Sequence, residues 1–596
     1  MTAVVHPPIR FFPLRAGLSG YGIDHFRRDA HAAALVSMVA FIQGMACAFI
    51  AGLPIQYGLV SAIIASIIGG AFSGSKVLII GPTNAIAILA LSTMASLNLT
   101  PEQRAVVIPA LLLMTGIILL AASWFRIANL TQYVSRSVVI AYLTGAATLI
   151  AASQIQHILG FRVPDSGTLL NTVLQTTKLI PHTYWPSVTV AAITLAVFAV
   201  FQLRIPQIPA SVASFAVGCG AAAVFEGLGY PLGRVTTEIP PLVPDQGLEI
   251  SFDLVSRLSR IPLALALLSF LEASIIGKTN AARTGDRFDG NQHMFAMGLS
   301  NLATAFFSGM PVSGSYTRSR LNLAGGASSP IAAILGGVFC GAIFLAARSF
   351  IPGITSTVLA AVAIGIVTTL YNRHELNVII RSSKSDGIVL VVTLGACCFL
   401  PLDAALYIGA GLSIILFLKK VGVPELVEYA FNTEGQLAEM SSVTKRPEPD
   451  ISIVHVEGDL FFGAAEIFLD QARRVFEDPN LKVIILRMKN AHHLDATCAM
   501  AIQQLLEFAA ENDRHVIVSG AHRQIFRVFQ NSGLLDVIGR RSFFMDIPSN
   551  PTLSTRNALK RAQELLGEKK ANIRLYLDPA KQKKETGNET EPTNGD

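Results

Sequence analysis

From about residue 30 to residue 420, long apolar runs follow one another with few charged positions between them; after Pro424 that pattern stops. Fourteen apolar segments can be drawn, at 31–50, 53–72, 82–97, 104–124, 134–158, 187–204, 208–228, 262–280, 292–308, 315–327, 329–350, 354–371, 386–400 and 403–420. A helix needs ~20 residues to cross ~30 Å of hydrocarbon. The third and tenth segments are too short to do so and read as half-helices. Beyond Pro424 the period changes. Residues 451–456 alternate like a strand, and 483–486 and 516–518 are short apolar strands. Helical patterns lie between them, near 463–477, 495–510 and 522–533. Alternating strands and helices indicate a small α/β domain. The pattern therefore predicts an α-helical polytopic membrane protein followed by that domain.

Both half-helices begin at a break. The first is Gly81-Pro82-Thr83-Asn84, and the second is Pro311-Val312-Ser313-Gly314-Ser315-Tyr316-Thr317-Arg318. In a bilayer, non-helical backbone is tolerated only where protein or a wet cavity surrounds it. A helix that starts mid-membrane points its positive end and free N–H groups at whatever lies there. Two such starts meeting near the midplane make an anion site, the pattern of a secondary transporter. The short segments are third and tenth, seven apart, which predicts two halves of seven with inverted topology. Phe41-Ile42-Gln43-Gly44 in the first segment resembles Phe270-Leu271-Glu272-Ala273 in the eighth, at the corresponding place in each half. That puts Gln43 and Glu272 in pseudo-symmetric positions facing the half-helices.

The predicted organisation is a cytosolic segment at 1–30 and a transport domain at 31–420, with repeats at 31–228 and 262–420. A linker at 421–448, an α/β domain at 449–550, and a C-terminal helix with a disordered tail at 551–596 follow. The stretch 229–255, rich in Pro, joins the halves outside the membrane.

Composition agrees: 52% of the 596 residues are hydrophobic and 14% charged, where soluble domains carry about a quarter. The net charge of +6 does not point to nucleic acid. Its excess flanks membrane segments, at Arg10, Arg15, Arg27 and Arg28 before the first and Lys419-Lys420 after the last. Cytoplasmic loops carry such residues, so both ends read as cytosolic, which requires an even number of crossings. The N-terminus, with Pro7, Pro8 and Pro13, has no signal-peptide core. The six cysteines lack metal spacing and read as small hydrophobes.

Glu272 is the lone acid of the eighth segment. A mid-membrane carboxyl is costly and reads as proton carrier, cation ligand or gate. Arg318 attracts an anion or balances Glu272. Gln43, Thr83, Asn84, Ser315 and Thr317 supply neutral donors that hold an oxyanion without trapping it. His157 reads as structural, His492-His493 as a solvated loop without a third metal ligand, and Asp403 as a cap of the last segment. There is no nucleophile–base constellation and no phosphate-binding Gly loop, so nothing argues for an enzyme, a metal or a cofactor.

These residues carry a resemblance. The chain resembles the sulfate-permease (SulP) anion transporters, whose animal members are solute carrier family 26. The likeness runs through Gln43-Gly44-Met45-Ala46, Ala51-Gly52-Leu53-Pro54, Tyr57-Gly58-Leu59, Gly81-Pro82-Thr83 and Ser135-Arg136-Ser137-Val138-Val139. It continues through Asn291 to Gly298, Asn301, Pro311 to Arg318, Asn322 and Gly325-Gly326-Ala327. The resemblance implies a seven-plus-seven inverted repeat, a core domain moving against a gate domain like an elevator, a C-terminal STAS domain and a homodimer. It implies an anion held by Gln43, Cys47, Thr83, Asn84, Ser315, Tyr316, Thr317 and Arg318.

Departures matter. Ile42 stands where the family often has Pro, and Cys47 and Thr83 stand where some members have aromatics, which implies a roomier, more polar pocket. A sodium-coupled bicarbonate branch has hydroxyl residues where this chain has Ile276 and Tyr316, which disfavours sodium and favours a proton on Glu272. In the STAS part, Asp495-Ala496-Thr497-Cys498 falls where anti-sigma antagonists have a phosphorylatable Asp-Ser-Ser stretch. Ala496 cannot accept phosphate, Thr497 is the alternative acceptor, and Asp495 also reads as a helix N-cap. The expectation is a proton-coupled anion symporter of an inner or plasma membrane, with both termini cytoplasmic and the STAS domain free for a cytosolic protein partner. Sulfate comes first, then bicarbonate and C4-dicarboxylates. The alternatives are an uncoupled chloride or bicarbonate exchanger or channel, and an anion sensor signalling through the STAS domain.

Overall fold

The structure, a computed structural model, describes residues 8–567 apart from 18–19, 98–100, 164–167, 206, 236–255, 257, 286, 422–424, 432–436, 440–450, 477–480 and 551. Much of the linkers expected at 229–255 and 421–448, and the tail, lie outside the described residues. The chain divides into two units, Met1–Ile414 and Ile415–Asp596.

Each of the fourteen apolar segments contains one helix. They are α1 (Ile23–Ile50), α2 (Ile55–Phe72), α3 (Asn84–Ser96), α4 (Pro101–Trp124), α5 (Arg136–Leu159), α6 (Trp185–Arg204) and α7 (Ala210–Gly227). The second half repeats them as α8 (Arg260–Thr284), α9 (Gly290–Phe306), α10 (Tyr316–Ala324), α11 (Ile331–Ala346), α12 (Ser356–Thr368), α13 (Lys384–Phe399) and α14 (Leu402–Val421). Two amphipathic helices, Leu169–Leu179 and Arg373–Ser382, carry too few apolar residues to register as segments.

The packing has a two-fold logic. For several contacting pairs, adding seven to both members yields another contacting pair. Thus α4 on α8 answers α11 on α1, α3 on α8 answers α10 on α1, α4 on α9 answers α11 on α2, and α5 on α13 answers α6 on α12. The helices sort into two bundles, α1–α4 with α8–α11 and α5–α7 with α12–α14. Small residues set the closeness of the first bundle, as in membrane helix pairs generally. A Cβ at Gly58 on α2 would collide with the Gly44 carbonyl oxygen on α1. Buried Asp29 at the start of α1 ties in the second half. Its Oδ1 accepts from the Ser328 and Ser329 backbone N–H groups just before α11, at 2.6 and 3.2 Å.

Between α2 and α3 the chain forms β1 (Ile80–Gly81), and between α9 and α10 it forms β2 (Ser313–Gly314). The two pair antiparallel, Ile80 with Gly314 and Gly81 with Ser313. The ribbon sits in an apolar cluster with Phe270, Ala273, Ile276, Met294 and Met297.

The second unit is a six-stranded sheet in the order β4-β3-β5-β6-β7-β8. Its strands are β3 (Glu425–Phe431), β4 (Leu437–Glu439), β5 (Ile451–Asp459), β6 (Val483–His492), β7 (His515–Ala521) and β8 (Phe543–Met545). From β5 to β8 the pairing is parallel, with helical crossovers. Alternation divides the faces. Val454, Val456, Leu486, Met488 and Val518 pack on α15 (Ala465–Phe476), α16 (Ala496–Glu511) and α17 (Arg523–Asn531). Ile453, Ile485 and Ile517 pack on α18 (Leu553–Leu566). Asp495 is the N-cap of α16, accepting from Cys498 N at 2.9 Å, and Thr497 is exposed in its first turn. His492 ends β6 rather than lying in a loop, and His493 meets Asp459 at 2.8 Å. Among the described residues no group of three or more His, Cys, Asp or Glu is placed to hold a metal.

Gly58→Ala forces α1 and α2 apart, an overpacking cost of about 1–3 kcal/mol. Gly220→Ala meets nothing within 4 Å. We expect a lower thermal midpoint in detergent for the first and none for the second. His455 on β5 is held down to about 4, by burial first and by the Arg487 guanidinium next, against the pull of Glu457. Its folded value lies below the ordinary ~6.5. Between these values the unfolded chain takes up a proton that the folded chain refuses, so stability falls as pH falls through that window. Hydrogen exchange in β5 and β6 should quicken from pH 7 to pH 5 beyond its intrinsic rate, and His455→Gln should flatten that response.

Candidate anion site between two broken helices

The breaks leave backbone groups without helical partners in an apolar bundle, and neighbouring side chains satisfy them. At the first break, Ile79 N donates to Ser319 Oγ (2.9 Å), Val77 O accepts from Asn322 Nδ2 (3.2 Å), and Ile80 O accepts from Ser66 Oγ (3.3 Å). At the second, the Asn301 amide holds both Val312 N and Val312 O (3.1 and 3.2 Å), and Ser61 Oγ holds Met310 N and O (2.6 and 3.0 Å). Ser315 N donates across to Ile79 O at 2.9 Å.

Each half-helix has a hydroxyl N-cap. Thr83 Oγ1 accepts from Ile86 N at 3.4 Å, and Ser315 Oγ accepts from Arg318 N at 3.5 Å. The Thr83 hydroxyl also donates to Glu272 Oε2 at 3.3 Å. From the other break, the Ser313 hydroxyl donates to the Ser269 carbonyl, three residues before Glu272 on α8, at 3.1 Å. One hydroxyl from each break thus reaches α8, Thr83 at the Glu272 carboxylate and Ser313 at the Ser269 carbonyl. On the α1 side, Cys47 Sγ donates to Asn84 Oδ1 at 3.2 Å. Gln43 is buried one turn earlier on α1.

Arg318 is fully buried rather than reaching an interface. Its Nη2 donates to the Pro82 carbonyl at 2.7 Å. Its guanidinium lies against Gly81, where a Cβ would stand 2.5 Å from Nη1. Only glycine leaves room there. Nε and Nη1 have no hydrogen-bond partner among the described residues. Tyr316 and Thr317 occupy the same first turn of α10 but are exposed.

The structure thus brings Cys47, Thr83, Asn84, Ser315, Arg318 and Glu272 together at the two helix starts, with Gln43 beside them. Tyr316 and Thr317 stand on the open side. His157 lies apart, its ring packed on Phe49 at 4.7 Å. Asp403, expected as a cap, is a buried first-turn residue of α14 that meets Arg260 Nε at 3.6 Å. Sequence reasoning missed Ser313 and the stitching residues Ser319, Asn322, Asn301 and Ser61. Ser315, Ser319 and Asn322 share one helical face, and that polar stripe was the available signal.

A bundle of apolar helices built around two paired breaks, with the buried Arg318 between them, defines a polytopic membrane transporter. Residues 26–393 match the sulfate permease family and residues 442–550 match the STAS domain. The chain belongs to the sulfate permease family and is an anion transporter with a C-terminal STAS domain. It is similar to sulfate transporter 4.1, chloroplastic, of Arabidopsis thaliana, at 23% identity over 88% of this chain and 79% of that protein. Its fold is similar to that of murine solute carrier 26 family member A9 in the inward-facing state. The TM-score is 0.81 at 20% identity, covering 93% of this chain and 94% of that one. It is also similar to the transmembrane domain of a cyanobacterial bicarbonate transporter, BicA. There the TM-score is 0.57 at 16% identity, covering 66% of this chain and 98% of that one.

Gly81→Ala drives a methyl group into the Arg318 guanidinium and prises it from the Pro82 carbonyl. We expect anion uptake in proteoliposomes to fall about tenfold or more, equivalent to ~1.4 kcal/mol. The protein should still elute as a folded species.

Proposed function

We propose that the chain carries a small inorganic oxyanion across the membrane in symport with protons, sulfate first and bicarbonate next. One observation carries this reading: Glu272 accepts from Thr83, the cap of the first half-helix, while Arg318 lies buried in the first turn of the second with its Nη2 on the Pro82 carbonyl next to that cap. A carboxylate there competes with an incoming anion for the positive potential of Arg318 and of the two helix starts. A proton on Glu272 removes that competition, and an anion near Arg318 in turn favours the protonated acid. Each ligand therefore raises the affinity for the other, which is coupling by linkage. Neutral donors from Gln43, Cys47, Asn84 and Ser315 complete the cradle, with Tyr316 and Thr317 at its open side.

In the same proposal, α1–α4 with α8–α11 form the moving core and α5–α7 with α12–α14 the gate. The ribbon and Arg318 tie both breaks into one body, which suits an elevator-like step. The protein lies in an inner or plasma membrane as a homodimer with both termini cytoplasmic, and the STAS domain meets a cytosolic partner. Sulfate is favoured by the name of the Arabidopsis relative, and bicarbonate by the name of the cyanobacterial neighbour.

The test is uptake of labelled sulfate, bicarbonate and fumarate into proteoliposomes, with and without an inward proton gradient. We expect the gradient to stimulate uptake of one anion several-fold in the wild type and not in Glu272→Gln. Equal uptake by both proteins, indifferent to the gradient, would replace symport with exchange or channel conduction.

A further inference from the structure

A second polar cavity lies away from the helix starts, at the end of the first bundle where α8 ends and α9 begins. Its volume is about 240 Å³. That is below the ~300–1,000 Å³ of sites for drug-sized ligands, so it suits one small group. The segment between α2 and β1 closes one side with Lys76, and the turn into α9 contributes Arg287, both with exposed side chains. Two side chains at the cavity are more than nine-tenths buried, Asn280 of α8 and His293 of α9. Neither Asn280 Nδ2 nor His293 Nδ1 has a hydrogen-bond partner among the described residues. The His293 ring packs against the Phe288 ring, centroids 4.9 Å apart and edge to face. Asp289, the nearby carboxylate, is engaged as the N-cap of α9, its side chain accepting from Asn291 N and Gln292 N.

Buried polar atoms without partners are uncommon in folded proteins and point to an absent one. Here an unused amide donor lies at the bottom of a cavity whose mouth carries two cations. Basic pockets between membrane helices at the membrane surface are sites for phosphate head groups. Asn280 is eight residues beyond Glu272 on α8, about 12 Å along the helix, so the cavity is separate from the transport site.

We propose that this cavity binds a phosphate group, with Lys76 and Arg287 attracting it and Asn280 Nδ2 donating to it. The group arrives either as free phosphate or as the head group of an anionic lipid.

Full-length protein stripped of lipid in neutral detergent is titrated with inorganic phosphate in one arm and short-chain phosphatidylglycerol in the other. Phosphatidylcholine is the neutral control, and the thermal midpoint is read. One probe should raise the midpoint saturably. Lys76→Gln with Arg287→Gln should raise its half-saturating concentration about tenfold or more. Asn280→Asp, which keeps the shape and adds a negative charge, should do the same. A response to phosphate identifies a free oxyanion, and a response to phosphatidylglycerol alone identifies a lipid. No response to either probe, or equal half-saturation in wild type and both variants, overturns the proposal. Phosphate bound at the helix starts would act equally in all three proteins, so this result stands apart from the question of symport.

Discussion

The rest of the membrane unit depends on one requirement: the backbone of two broken helices must find hydrogen-bond partners inside an apolar bundle. Hydrocarbon offers none. The two breaks meet it by pairing with each other as β1 and β2 and by drawing on Ser61, Ser66, Asn301, Ser319 and Asn322 from the packed helices. Each of those side chains is polar and buried at a place where an apolar residue would pack as well. Their polarity is explained by the ribbon they serve.

The same requirement shapes the charge arrangement. Arg318 caps the Pro82 carbonyl and so is at once part of the backbone accounting and a buried positive charge. Burying a charge costs several kcal/mol unless it is compensated. The Pro82 carbonyl is the compensation that the packed helices supply. Because Gly81 makes room for the guanidinium, a residue without a side chain is as constrained as the arginine it faces.

The two-fold pattern of helix contacts adds a consequence. A half of seven helices, repeated in tandem, enters the membrane inverted and brings its own break to the midplane. The first bundle then draws four helices from each half, so that both breaks and Glu272 belong to one packed body. The second unit follows ordinary soluble rules. Alternation along β5, β6 and β7 splits the apolar residues between two helical layers, and Asp495 closes the start of α16.

The sequence by itself determined the fourteen helices, because each is a run of apolar residues long enough to read. It determined the two breaks, because Gly and Pro interrupt those runs, and the α/β character of the second unit, because the hydrophobic period changes. It also determined that Gln43, Thr83, Asn84, Glu272, Ser315 and Arg318 stand at or near those breaks. What only the tertiary structure decided are relations between residues far apart in the chain. These are the pairing of Gly81 with Ser313, the reach of Arg318 to Pro82, the bond of Thr83 to Glu272, and the pair of Asp403 with Arg260. The direction of the first turn of α10, Arg318 inward and Tyr316 and Thr317 outward, belongs with them. Hydrophobic periodicity records which residues leave water, a local property. Which buried donor meets which buried acceptor is set by helix rotation and crossing, and those are settled only when the two halves pack.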